Sequence, residues 1–185
     1  MRIADISLLG WIHTLACIAA LALGAMALVL RKGSRHHRRA GYGYVAAMIA
    51  ANATALGLYV PIFGMPTFNR FHWTAIAAIV LVIAGAAAAR RQRHPVAAYA
   101  HQLLMLASYE LLIGALINEA FLRVGVLRDW AMTGAPSWAR VAVQTPRVRE
   151  VHTAALAFFV LLALWAVFQV FRRRMRRAPE AVIAT

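Results

Sequence analysis

Acid is scarce in this chain: six Asp and Glu residues stand against twenty Lys and Arg, for a formal net charge of +14. Charge of either sign is scarce as well, at 14% of 185 residues, while 63% are hydrophobic. A soluble domain is nearer half apolar and a quarter charged. Cys17 is the single cysteine, so an internal disulfide and a cysteine-rich metal motif are both excluded. The catalytic signatures of soluble enzymes are missing too: there is no Gly-rich phosphate loop, nucleophile elbow or His-Glu-x-x-His run. Matched Gly/Pro breaks at mid-membrane depth, the mark of many transporters, are absent.

What the chain does have is apolar runs of about twenty residues, long enough to cross a hydrocarbon layer of roughly 30 Å as helices. Five spans are expected: Ile6–Leu30, Ala40–Val60, Asn69–Ala89, Val96–Leu122 and Val151–Phe171. The first is too long for a cleaved signal, and its strong positive cluster follows it rather than preceding it, so it reads as a retained helix. Thirteen of the twenty basic residues sit in "RKGSRHHRR" (31–39), "RRQR" (90–93) and "RRRMRR" (172–177), each after an apolar span. That is the positive-inside pattern. It points to anionic lipid headgroups rather than nucleic acid as the partner of the charge. It predicts an outside N-terminus and an inside C-terminus for one all-α bundle occupying residues 1–185. The "PIFGMPTF" turn and the segment 123–150, with Trp130 and Trp138, then face outward, the latter as an interfacial stretch carrying a short helix.

The layout repeats. His13 is followed by Arg31 and His72 by Arg90, each eighteen residues on. Each span then leads through a basic loop to a helix with a histidine near its start, His37 or His101. Eighteen residues of helix rise about 27 Å, so the histidines fall into two layers. The outer layer holds His13, His72 and His152; the inner holds His37 and His101, with His36 and His94 in the nearby loops. Within each layer the main pair comes from alternate helices, which are diagonal in a four-helix bundle wound in order. Two diagonal imidazoles can grip a planar macrocycle, so His13 with His72, and His37 with His101, are expected to hold two b-type haems.

Span four is the most polar: "HQLLMLASYELLIGALINEAFLR". At 100° per residue His101, Met105, Ser108, Leu112 and Glu119 share a face. Glu119 returns to the outer layer, where His13, His72, His152 and Glu119 form an alternative set of ligands for a transition-metal ion. Glu110 points the other way, toward a neighbouring helix, a proton relay or a partner. Asn52 and Asn118 are expected to bond across helices, and Gly24, Gly43, Gly57, Gly85 and Gly114 to allow close packing. Cys17, one turn after His13, reads as a packing residue.

The stretch "WIHTLACIAALALGAMALVLRKGSRHHRRAGYGYVAAM", followed by "FHW", "ARRQR" and "HQLLMLASY", resembles the bacterial membrane proteins grouped as domain of unknown function 2306. The matching positions are His13, Lys32-Gly33, His37-Arg38, Gly41, Met48, His72, His101 and Met105, over about residues 10–123. The resemblance implies a multi-pass protein of the bacterial cytoplasmic membrane and brings no activity with it. The insertion "HPVAAYAH" makes the His72–His101 spacing 29 residues, against 24 for His13–His37, and leaves His94 or His101 as the inner partner; Met105 favours His101. The architecture, though not the motifs, is similar to cytochrome b561 and related dihaem proteins. Three readings stand at this point: electron transfer through haem to a quinone or a redox partner protein, an outer metal site, and a non-enzymatic subunit of a larger membrane complex.

Overall fold

The computed structural model describes residues 7–58, 70–91, 95–137, 139 and 142–183. Among them are six α-helices, one 3-10 turn and no strand: α1 (Leu8–Val29), α2 (Arg35–Gly57), α3 (Arg70–Arg90), α4 (Pro95–Arg123), α5 (Gly125–Met132), the turn Ala142–Gln144 and α6 (Pro146–Ile183). Four of these, over Leu8–Val29, Phe71–Arg90, Val96–Arg123 and Pro146–Gln169, are long and apolar enough to cross a membrane. The sequence at α2 is less apolar, because three glycines, Tyr42, Tyr44, Asn52 and Thr54 interrupt its hydrophobic residues. The "PIFGMPTF" turn, His94 and Trp138 lie outside the described residues.

Short-range chemistry sets the first hairpin. Ser7 caps α1 by accepting from the Gly10 N–H, and Ser34 caps α2 by accepting from the His37 N–H at 3.1 Å. The last carbonyls of a helix have no partner within it. Here the Lys32 ammonium donates to the Ala27 and Leu28 carbonyls at 2.8 and 2.9 Å. Gly33, at φ +79°, makes the left-handed turn that L side chains resist. The Lys-Gly-Ser run is therefore a clasp that ends one helix and starts the next. It also corrects the expected boundary: α2 starts at Arg35 rather than Ala40, so His36 sits in a first helical turn and not in a loop.

The helices α1 to α4 form a ring in chain order, with α1 also against α4 and α6 packed outside on α4. Each hairpin is antiparallel, since His37 near the start of α2 reaches Ala27 near the end of α1, and His13 near the start of α1 reaches Ala51 near the end of α2. The core draws on all four ring helices: Ala20, Tyr44, Met48, Ala78, Val82 and Leu112. At its centre Ser108 donates to the Met105 carbonyl and bonds the Tyr44 hydroxyl at 2.9 Å. A hydroxyl has one hydrogen to give, so Tyr44 is the donor across the diagonal from α2 to α4. Tyr109 donates to the Leu21 carbonyl at 3.1 Å and lies edge-on to Tyr44 and Phe159, each 6.0 Å away between ring centres.

The connector between α4 and α6 has its own small core of Phe121, Ala131, Ala142 and Val148. The predicted short helix is α5, held by Phe121 against Trp130 and by Arg147, whose guanidinium lies 5.1 Å over the Trp130 ring. The last helix starts at Pro146, five residues before the expected Val151. Proline lacks the N–H that a first helical turn leaves unpaired, and the Arg149 N–H bonds back to the buried Thr145. Most of α6 then shows apolar residues to the surroundings, Phe158, Leu161, Leu164, Trp165 and Phe168 among them. Faces of that kind are stable only against other apolar matter, here lipid chains.

Candidate cofactor-binding histidines

The helix order places the histidines at two ends of the ring. One end carries the basic turn 31–34 together with Arg90 and Arg91. His37 and His101 lie there, on the diagonal helices α2 and α4. His37 Nδ1 meets the Ala27 carbonyl at 3.1 Å, and His101 Nδ1 meets the Gly85 carbonyl at 2.8 Å. The two contacts are equivalent: a histidine in the early turns of the second helix of a hairpin bonds a late carbonyl of the first. A carbonyl only accepts, so Nδ1 carries the hydrogen in both rings and Nε2 holds the lone pair. That tautomer, fixed by a backbone oxygen, is the form in which imidazole ligates a metal. The rings also act on each other electrostatically. Burial holds Lys32, in the turn between α1 and α2, below the usual lysine range.

The opposite end holds His13, His72 and His152. His13 Nδ1 donates to the Ala51 carbonyl at 2.9 Å, with Thr54 Oγ1 at 3.2 Å. Its Nε2 is therefore the acceptor, and Cys17 Sγ lies 3.6 Å from it. The cysteine does pack, as expected, and it also occupies the nitrogen that a metal would use. His72 is half-buried in the first turn of α3. His152 turns instead to α4, where its Nε2 meets Asn118 Oδ1 at 3.1 Å.

The four-residue ion site is not assembled. Among the described residues no three His, Cys, Asp or Glu side chains converge for a metal. His13 is taken up by α2, His152 by Asn118, and the exposed Glu119 pairs with Arg123 one turn on. Asn52 also departs from expectation: its amide bonds the Met48 carbonyl within its own helix, whereas Asn118 does bond across helices. Glu110 faces α6, within electrostatic reach of His152. Sequence reasoning missed the Tyr44–Ser108 bond and the role of Lys32; a lysine three residues past the end of α1 and next to glycine was the available signal for the second.

The fold and its apolar faces define an all-α, multi-pass membrane protein. The model of the family described as a predicted membrane protein, DUF2306, matches residues 10–142, and the chain belongs to that family. No curated protein and no solved structure matches it.

Proposed function

We propose that the protein is a five-span electron-transfer protein of the bacterial cytoplasmic membrane, with b-type haem held between His37 and His101. One observation carries the reading. Diagonal helices present two histidines at one level, each with Nδ1 tied to a backbone carbonyl and Nε2 left as the lone-pair nitrogen. His37 and His101 would hold the haem iron through these nitrogens, and the group would supply a one-electron couple whose potential its ligands and surroundings tune. The chain's own part is to orient: the Ala27 and Gly85 carbonyls fix the two rings and leave Nε2 of each as the lone-pair nitrogen.

The second haem belongs between His13 and His72. His13 has the same carbonyl-fixed tautomer, and its Nε2 must exchange the Cys17 contact for the metal. The helix α2 is the fifth span in this reading, because it follows α1 from His13 at one end to Ala27 at the other. In this reading the His37–His101 end faces the cytoplasm, as the positive-inside pattern of the basic clusters predicts. A quinone or a redox protein takes the electron. The test is the oxidised and reduced visible spectrum of protein purified from haem-replete cells. A b-type spectrum that His37→Ala and His101→Ala each diminish is expected, and a colourless preparation refutes the proposal.

A further inference from the structure

The end of the bundle opposite the 31–34 turn contains a second polar feature that the haem reading leaves unused. His152 of α6 crosses α4 at Gly114. A Cβ at that glycine would lie 3.8 Å from His152 Cε1 and Nδ1, so the imidazole rests directly on the helix backbone. Glu110, Gly114 and Asn118 are spaced by four and share one face of α4. His152 bonds Asn118 on one side and is within electrostatic reach of Glu110 on the other. Beside this crossing lies a partly open cavity of about 270 Å³, lined by Phe71, Thr74, Asn118, Val143 and His152.

Size, lining and position narrow the occupant. Drug-sized ligands fill pockets of roughly 300–1,000 Å³; this cavity falls just below that range, so it suits a single ring and is too small for a macrocycle. Phe71 and Val143 give it apolar walls, and Asn118 and His152 give it a polar edge. It lies where α3, α4 and α6 meet the connector, about 9 Å along α6 from Pro146 at the rise of a helix, a setting that suits a lipid-soluble molecule. With His152 Nε2 bonded to Asn118, an exchange of donor and acceptor within the pair leaves Asn118 presenting either an N–H or its oxygen, so Asn118 can meet a carbonyl oxygen or a hydroxyl.

We propose that this cavity binds the head group of a single-ring quinone or hydroquinone, with Asn118 as its hydrogen-bonding partner and His152 holding the Asn118 amide in place. The choice of a redox-active ring over another oxygen-bearing ring rests on the electron-transfer reading. The site itself stands on the cavity and the crossing of α4 by α6.

The test compares duroquinone, duroquinol and durene, which share a ring and four methyl groups and differ in the oxygens. Their binding to the full chain in lipid nanodiscs is measured by calorimetry. The wild type is expected to bind the quinone and quinol at least tenfold more tightly than durene. His152→Phe and Asn118→Leu should each weaken duroquinone by roughly tenfold, the loss of one good hydrogen bond, and leave durene unchanged. Val143→Trp should abolish all three. Equal binding of duroquinone and durene by the wild type overturns the proposal without recourse to any variant, as does duroquinone binding that His152→Phe and Asn118→Leu leave intact. The haem spectrum of the same samples separates the two readings. A haem-bearing protein that does not prefer duroquinone loses this site alone, and a haem-free protein that binds duroquinone with the stated preferences loses the haem proposal and keeps the site.

Discussion

Gly24→Ala should destabilise the bundle although alanine is the better helix former. A methyl carbon at Gly24 would lie 2.4 Å from Tyr109 Cε2, 2.6 Å from Cδ2 and 3.1 Å from Tyr44 Cδ2. Carbon atoms rest about 3.5–4.0 Å apart, so the tyrosine ring must move by about an ångström. It has little freedom to do so, with its hydroxyl on the Leu21 carbonyl and its edges against Tyr44 and Phe159. Overpacking of this kind costs about 1–3 kcal/mol, and losing the Leu21 bond adds about 1 kcal/mol. The gain in helix propensity returns at most about 1 kcal/mol. A net loss of roughly 1–3 kcal/mol follows. Gly41 is the control, because a methyl group there would meet nothing within 4 Å, and Gly41→Ala should be neutral or slightly stabilising. Unfolding of both variants in mixed detergent–SDS micelles reads the difference. A Gly24→Ala protein as stable as the wild type, or as Gly41→Ala, refutes the packing described for α1 against α4.

Two further outcomes are expected. Ser108→Ala should cost more than Tyr44→Phe in the same assay, because the first leaves the buried Tyr44 hydroxyl without its acceptor, at about 1–3 kcal/mol, and the second removes one bond worth about 1 kcal/mol. Lys32→Met should melt below the wild type, by the loss of two charge-assisted bonds to the end of α1; an unchanged melting point would show that the clasp contributes nothing.

The all-α class and the two levels of histidines were legible in the sequence, because helical rise is fixed and eighteen residues between His13 and Arg31 translate directly into depth. The partners were not. Periodicity puts Glu110 and Asn118 away from the His101 face but does not say that α6 is the helix that meets them. It says nothing of which imidazole nitrogen carries the hydrogen, which at His37 and His101 follows from carbonyls sixteen residues away or fewer in sequence and on a different helix. The spacing of the four expected ion ligands was not legible either: equal depth does not bring side chains together, and Glu119 pairs with Arg123 one turn on. The starts of α2 and α6 were misplaced by five residues because hydropathy marks where an apolar run begins, while Ser34 and the Thr145-Pro146 pair set where the helix begins.

The account turns on whether His37 and His101 act together on one iron. Haem per polypeptide, measured on the wild type beside His37→Ala, His101→Ala and His36→Ala, tests this most directly. The expected result is bound haem in the wild type and in His36→Ala, with one equivalent lost in each of the other two. Equal haem content in all four proteins, or none in any, contradicts it.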